Sequence, residues 1–172
     1  MNETINNLVN RRSVRSCQNK QIDEEALQQI LQAGLYAPSG MGRQPTIMVV
    51  IQDEATIKEV SRLNGAVMNS DSDPFYGAPT VIVVLADSTV PTYREDGSLV
   101  MGNLMNAAWA VGVDSCWIHR AREVFDSPEG KALLKKWGID EKYAGIGNCI
   151  LGYCQGEKPE AKPRNENRIY RI

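Results

Sequence analysis

The chain of 172 residues has a single histidine, only 6% aromatic residues, and four cysteines without a CxxC pair. One histidine excludes the two-histidine zinc motifs, and no spacing of cysteines or carboxylates resembles a metal cage. The most apolar stretch, residues 78–86, is far shorter than the ~20 residues of a membrane helix. Residues 1–10 are polar and lack the apolar core of a signal peptide. Because scattered cysteines are typical of reduced thiols, we expect a cytoplasmic protein with no metal and no membrane contact.

The common nucleotide-binding and hydrolase motifs are also missing. Two segments begin like the dinucleotide fingerprint GxGxxG, at residues 40–42 and 145–147, but Pro45 and Ile150 stand where its third glycine is required. No GxxxxGK[ST] loop occurs, and no GxSxG motif presents a serine nucleophile that His119 could serve. The sequence therefore excludes a Rossmann fingerprint and a Walker loop.

The composition that remains is that of one globular domain, which we predict to span residues 1–172. Hydrophobic residues make up 42% of the chain and charged residues 23%. Helical and extended patterns alternate irregularly, which allows α/β or α+β. Helices are predicted at 23–35, 54–63, 97–112 and 127–137, and strands at 46–51, 79–86, 113–118 and 146–153.

Two of these segments indicate where the core lies. Residues 79–86 are apolar almost throughout, which predicts a central strand buried on both faces. Residues 97–112 carry small or apolar side chains on nearly every side. Such a helix is buried in a large core or in a subunit interface.

Charge is distributed unevenly, since both ends of the chain are basic and the middle is acidic. Residues 1–20 contain four basic side chains against one acidic, and residues 157–172 contain five against three, although the whole chain has a net charge of −2. This pattern favours a localised anion site over a nucleic-acid face, which needs a more basic domain. Solvated basic tails are the alternative interpretation.

The basic N-terminal region contains the segment Arg11-Arg12-Ser13-Val14-Arg15, which follows a short polar helix. Guanidinium groups and a hydroxyl this close together can converge on one phosphate through charge-assisted hydrogen bonds. Alone, the segment is equally compatible with an ordinary basic helix end.

A second motif, residues 37–45 (APSGMGRQP), precedes the first predicted strand. Together the two motifs resemble the FMN-dependent nitroreductase family, whose members carry an RRSxR-like element and a PSxxNxQPW-like loop. Residues 96–118, with Asn103, resemble the long central helix and following strand of that family. Residues 151–153 and 162–164 resemble its last strand and basic tail, so the similarity runs in order along nearly the whole chain.

The resemblance implies an α+β fold with three layers, in which helices flank a central, mostly antiparallel sheet, and an intertwined homodimer. It implies an enzyme that takes hydride from NADH or NADPH through FMN and reduces nitroaromatics, quinones or other small planar acceptors in a ping-pong order. A flavin-binding or sensing protein without significant turnover, and a reductive dehalogenase on the same fold, are the alternatives. No nucleic-acid partner is expected.

The resemblance also implies which residues hold the cofactor. The phosphate, ribityl chain and one ring edge are assigned to the N-terminal motif, with further phosphate contacts from the tail. The loop lines the ring of the partner subunit's flavin, and the residues after the 113–118 strand pass flavin N5. The assigned residues are Arg11, Arg12, Ser13, Arg15, Pro38, Ser39, Gly40, Gln44, Ile118, His119, Arg120, Lys162 and Arg164.

Three departures from the family pattern concern the substrate. Gly42 replaces the usual loop asparagine, Thr46 the usual aromatic, and His119-Arg120 a frequent Glu-Gly pair. His119 is the one candidate for a side chain that takes part in catalysis, as a proton donor or by orienting an acceptor. The interpretation that we favour is a structural imidazole whose backbone alone meets the flavin, because hydride transfer needs no side-chain acid.

Overall fold

The computed structural model describes every residue from Met1 to Ile172. The helices are α1 (Glu3–Asn10), α2 (Glu24–Leu35), α3 (Glu54–Val67), α4 (Tyr93–Ala110), α5 (Ala121–Asp126) and α6 (Pro128–Lys136). The strands are β1 (Thr46–Ile51), β2 (Thr80–Asp87), β3 (Asp114–Ile118) and β4 (Tyr143–Gly152). One 3₁₀ turn covers Gly40–Gly42.

The four strands form a single sheet in the order β1-β2-β4-β3, and all three pairings are antiparallel. The prediction of a mostly antiparallel sheet is confirmed. β2 lies inside the sheet, and residues 81–86 are fully buried. Successive side chains of β2 point to opposite faces of the sheet, and each face packs in a separate core. Nearly every position of this strand is therefore apolar.

Helices cover both faces of the sheet and give the three-layer α+β arrangement. On one face Val81, Val83 and Leu85 pack in a core that includes α3, α5 and α6. On the other face Ile82 and Val84 pack in a core that includes α2 and α4. The two faces are called here the α3/α5 face and the α2/α4 face.

Two elements begin three or more residues before their predicted starts, each near a glycine that marks a close contact rather than an element end. α4 begins at Tyr93 and not at Gly97, whose missing side chain admits Ile146: a Cβ there would lie 2.5 Å from Ile146 Cγ1. β4 begins at Tyr143 because a Cβ on Gly145 would lie 2.2 Å from the carbonyl oxygen of Ala121. The short helix α5 was not predicted, since it begins after Arg120 with no side-chain cap.

α4 is buried along one side only. Val100, Met101 and Leu104 lie in the α2/α4 core, whereas Leu99 remains 45% exposed. α1 packs against the second half of α4, where Asn7 Nδ2 donates to the carbonyl oxygen of Asn106 at 2.9 Å. The helix is therefore less enclosed in one chain than its apolar composition predicts.

Candidate functional site

The N-terminal basic motif forms a short extra strand at the β3 edge of the sheet. Ser13 pairs with Ser115 in a parallel bridge, and the Val14 N–H donates to the Ser115 carbonyl oxygen at 3.0 Å. The Val14 side chain is buried and anchors the segment. These contacts hold the flanking Arg11 and Arg15 beside the same edge.

Arg11 carries a buried nitrogen, Nη1, with no hydrogen-bond partner in the protein. A buried, unpartnered guanidinium N–H is costly, so natural structures rarely keep one without a ligand or another group to satisfy it. The charge of Arg11 reaches the thiol of Cys149: burial raises the pKa of Cys149 to about 12, and Arg11 opposes that shift. Arg11 therefore supplies positive charge inside the α2/α4 face.

Two further polar side chains on β3 are buried without partners. They are Ser115, through Oγ, and Trp117, through Nε1. In the register of the sheet these residues stand opposite Leu151 and Cys149, and alternation places them on the α2/α4 face. Arg11, Ser115 and Trp117 thus offer a row of unsatisfied donors, which suits a ligand rich in acceptor oxygens.

The other two arginines of the motif behave differently from Arg11. Arg12 Nη1 donates to the carbonyl oxygens of Val9 and Arg11, both at 2.8 Å, so it closes the end of α1. Arg15 is exposed and forms no ion pair, which leaves its guanidinium group free for an anion. The structure therefore gives Arg12 a local structural contact and leaves Arg11 and Arg15 available.

The glycine-containing loop lies at the N-terminal end of α4. The Gly40 N–H donates to Asp96 Oδ1 at 2.8 Å, and Thr92 Oγ1 donates to Asp96 Oδ2 at the same distance. The loop closes on itself because the Gln44 N–H donates to Ser39 Oγ at 3.0 Å. Pro38 stands exposed beside these contacts.

Within one chain this loop and the basic motif do not meet. Gly40 contacts α4 at Asp96, whereas α1, which leads into the basic motif, contacts α4 at Asn106. Ten residues of helix separate the two points by about 15 Å along its axis. The two segments therefore lie beside opposite ends of α4 in one chain.

The residues after β3 form the third part of the predicted site. Ile118 is buried on the α3/α5 face, while His119 and Arg120 are exposed. Arg120 has a left-handed backbone, with φ 81°, and its Nη1 lies 2.9 Å from Glu123 Oε1. The pKa of Glu123 is lowered first by its own backbone N–H, then by Arg120, with a smaller effect of His119.

The basic tail makes few contacts with its own chain. Lys158 is paired with Asp114 Oδ1 at 2.7 Å and lies over the ring of Trp109, 4.6 Å from its centroid. Beyond it every residue is exposed, including Lys162 and Arg164.

Sequence reasoning missed three residues of this region. Asp96, Ser115 and Trp117 were not assigned to any site. The alternation of the 113–118 strand would have placed Ser115 and Trp117 on one face, but whether their polar atoms find partners depends on the neighbouring chain segments. Asp96 carried no signal, because carboxylates are common in the first turn of helices.

No group of three or more His, Cys, Asp or Glu side chains is arranged to hold a metal ion. No helix has both the length and the hydropathy required to cross a membrane. A polar groove of about 970 Å³ lies between α3, residues 70–73 and Cys17, and it contains none of the predicted site residues.

The chain was compared with known families and structures. Residues 8–153 match the Nitroreductase family. A protein of Archaeoglobus fulgidus that carries the provisional name NADH dehydrogenase/NAD(P)H nitroreductase is 32% identical, over 99% of this chain and 98% of its own. The crystal structure of a nitroreductase with bound FMN from Bacteroides fragilis superimposes with a TM-score of 0.92 at 30% identity, over 100% of both chains. A nitroreductase with bound FMN from Desulfitobacterium hafniense gives 0.89 at 27% identity, over 100% and 99%.

The fold and the sequence thus agree on the class of protein: an α+β fold shared with FMN-bound nitroreductases. The chain belongs to the nitroreductase family.

Proposed function

We propose that this protein is a cytoplasmic, FMN-dependent oxidoreductase of one domain, residues 1–172, that works as a homodimer. It takes hydride from NADH or NADPH and reduces nitroaromatics, quinones or related planar acceptors in a ping-pong order. Two relatives of known structure contain FMN, and the Archaeoglobus relative is named for NADH or NAD(P)H. When bound, FMN supplies the hydride chemistry, and the protein supplies binding, orientation and electrostatics.

The observation that carries the proposal is the unpartnered Arg11 Nη1. A phosphate is the ligand that best satisfies a buried guanidinium nitrogen, since it brings both acceptor oxygens and negative charge. Arg15 and Ser13 would add donors from the same segment, and Ser115 and Trp117 would meet further oxygens. The donor set therefore fits FMN, whose phosphate and ribityl chain are rich in oxygen atoms.

The residues at the other end of β3 suit the reactive edge of the flavin. A backbone N–H at His119 or Arg120 would donate to flavin N5, and the left-handed turn at Arg120 directs the chain away from the sheet edge. The exposed His119 side chain would face the acceptor without being required for hydride transfer. Arg120 is held by Glu123, so it would act as a positioning residue for this turn.

Dimerisation follows from the separation of the two motifs along α4. The loop around Pro38 would reach the flavin of the other chain, with Ser39, Gly40 and Gln44 near the ring. Apolar side chains near the N-terminal half of α4 are exposed in one chain, and a partner would cover them. They are Leu35, Tyr36, Met41 and Leu99. The exposed tail would bring Lys162 and Arg164 to a phosphate across the same interface.

A spectroscopic titration tests the proposed function. The protein is purified under nitrogen and mixed with NADH or NADPH, and the flavin absorbance is followed. We expect a yellow protein that each active donor bleaches, and whose colour an added nitroaromatic or quinone restores. Colour that neither donor bleaches would favour the flavin-binding alternative, and a colourless protein that binds no added FMN would contradict the assignment.

A test with different electron acceptors distinguishes the proposed function from the dehalogenase alternative. The bleached protein is divided between a nitroaromatic, a quinone and a halogenated phenol, and halide release is measured beside the return of colour. Return of colour with the first two and no halide from the third is the expected result. Halide release at the rate of reoxidation would instead assign a reductive dehalogenase.

A further inference from the structure

Two cysteines outside the proposed flavin site stand side by side where the two ends of the chain meet. Cys17 and Cys154 are paired in an isolated antiparallel bridge. The Gln18 N–H donates to the Tyr153 carbonyl oxygen at 2.8 Å, and the Gln155 N–H to the Ser16 carbonyl oxygen at 2.9 Å. These two bonds flank the cysteine pair, so Cys17 and Cys154 occupy a non-hydrogen-bonded position of the ladder.

Such a position brings two side chains close together on one face. Directly opposed Cα atoms there lie about 4.5 Å apart, within the roughly 4.4–6.8 Å range of disulfides. The side chain of Cys17 points to the same face as that of Cys154, since Cys17 Sγ would lie 3.1 Å from a Cβ on Gly152, two residues before Cys154.

The two cysteines differ in their exposure. Cys17 is buried, whereas Cys154 is half-buried and its thiol lies 3.7 Å from the carbonyl oxygen of Glu157. Rotation of the Cys154 side chain about χ1 exchanges this weak contact for Cys17. Neither Cys116 nor Cys149 is paired with a cysteine in the sheet, because Cys116 stands opposite Ile150 and Cys149 stands opposite Trp117.

We propose that Cys17 and Cys154 are a redox-active dithiol that low-molecular-weight disulfides, such as oxidised glutathione, convert into an intramolecular disulfide. The Cys154 thiolate attacks one sulfur of the small disulfide, and one small thiolate leaves. The Cys17 thiolate then attacks Cys154 Sγ in the mixed disulfide, and the second small thiolate leaves. The protein loses two electrons and two protons, and the small disulfide becomes two thiols.

The second step is slow at neutral pH because Cys17 is poorly ionised. Burial raises the pKa of Cys17 to about 11, and Asp114, Cys154, Cys116 and Asp73 add smaller effects in the same direction. The thiolate is the nucleophile, so ring closure should accelerate about tenfold per pH unit between pH 7 and 9. A mixed disulfide on Cys154 is therefore expected to accumulate transiently at pH 7.

The bond would join the segment that carries Arg11 and Arg15 to the first residues of the basic tail. Beyond Lys158 every residue of the tail is exposed, so a covalent link at Cys154 would fix the point from which the tail starts. The chemistry requires only the two thiols and the small disulfide that oxidises them, so we expect it with or without flavin in the protein.

Mass spectrometry tests the proposal on the purified full chain. The protein is incubated with oxidised glutathione, unfolded, and alkylated without reduction. We expect two of the four cysteines to resist alkylation, a peptide pair joined through Cys17 and Cys154, and return of both thiols on addition of dithiothreitol. The same mapping on flavin-free protein should give the same pair.

Three variants serve as controls. Cys17→Ser should stop at a stable glutathione adduct on Cys154, Cys154→Ser should form neither adduct nor cross-link, and Cys116→Ser should form the cross-link like the parent. If Cys17→Ser does not fold, Cys17→Ala takes its place. A permanent adduct on wild-type Cys154, a bond between two chains through Cys154, or four unmodified thiols would each overturn the proposal.

Discussion

The two ends of α4 carry two polar segments that differ in how their groups are satisfied. At the N-terminal end the loop is closed by its own chain, since Gly40 and Thr92 both donate to the buried carboxylate of Asp96. At the other end the basic motif keeps Arg11 Nη1 buried and unpartnered. A satisfied group holds a shape, and an unsatisfied one is completed from outside the chain. The loop is therefore a preformed wall, and the basic motif is the binding surface that we propose.

Contacts within one chain stabilise the loop. We propose that a ligand completes the basic motif and that a second chain covers the exposed side of α4. Changes in the loop should act on the free protein, while changes in the basic motif should act on flavin binding. Changes on the exposed side of α4 should act on both through the dimer.

The largest effect is expected from a charge on the exposed side of α4. Leu99→Asp places a carboxylate on a side chain that is 45% exposed in one chain, so the monomer should still fold. In a dimer the same carboxylate would be buried without a partner, which is strongly unfavourable. Sedimentation should show a monomer without flavin for the variant and a flavin-loaded dimer for the wild type.

A matched change at an exposed position on another face controls for the charge. Ala132→Asp lies on α6, far from α4, and should leave the dimer and the flavin intact. A flavin-loaded wild-type monomer at micromolar concentration would contradict the two-chain site.

Removal of the loop's internal acceptor should have the next largest effect. Asp96→Ala leaves the Gly40 N–H and the Thr92 hydroxyl without their charged acceptor, and the free energy of unfolding of the flavin-free protein should fall by about 3 kcal/mol. Urea denaturation measures this, with the exposed Asp71→Ala as control. Equal midpoints for the two variants would show that the loop is not closed by Asp96.

In contrast to Asp96, Arg11 should affect flavin binding and not the stability of the flavin-free protein. Arg11→Ala removes a phosphate donor, which should weaken FMN binding by roughly 1.5–3 kcal/mol, or about tenfold to a hundredfold in Kd. It also removes a buried, unpartnered nitrogen, so the flavin-free protein should be no less stable than the wild type. Arg15→Ala should weaken binding too, and Arg171→Ala should not. Equal, small losses in all three would contradict the phosphate assignment.

Alkaline pH should destabilise the fold through its buried thiols. Burial raises the pKa of Cys149 to about 12 and that of Cys17 to about 11, from an ordinary value near 9. Between pH 9 and the raised pKa values, the folded state therefore binds more protons than the unfolded state. The contribution of these thiols to stability is complete below pH 9 and falls as the pH rises toward 12. The slope approaches about 1.4 kcal/mol per pH unit for a fully buried thiol.

Urea midpoints at pH 8 and pH 10.5 measure this loss. Cys149→Ala is less stable at pH 8, but its midpoint should fall less between the two values. The same fall in both proteins would assign the alkaline effect to other groups.

The smallest effect is expected at His119. His119→Ala should keep its flavin, and reduction by the nicotinamide should stay within about tenfold of the wild-type rate, because we propose that the backbone and not the imidazole meets N5. Stopped-flow reduction under nitrogen measures the rate. A loss of about 10²–10⁴-fold, the range of general acid–base catalysis, would show that the imidazole takes part.

Much of the fold was predictable because the periodicity of apolar residues indicates which positions are buried. The apolar residues 81–86 predict a strand with two covered faces, and Ser127 followed by Pro128 predicts the start of α6, where the Gly130 N–H donates to Ser127 Oγ at 3.0 Å. α5 could not be predicted, since it has no capping residue and covers only six positions. The starts of α4 and β4 were predicted too late because of Gly97 and Gly145. In sequence, a glycine that makes room for a neighbouring residue cannot be told from one that ends a helix or strand.

The local sequence also determines the chemistry of the candidate site, because the residue types of the basic motif and of the loop are fixed by the chain alone. The folded chain alone distinguishes Arg11, which is buried without a partner, from Arg12, which closes α1. Their sequence environments are nearly identical, so the difference arises from what lies beside each guanidinium group in space. The pairing of Cys17 with Cys154 likewise depends on strands 137 residues apart in the chain, and no local pattern encodes it.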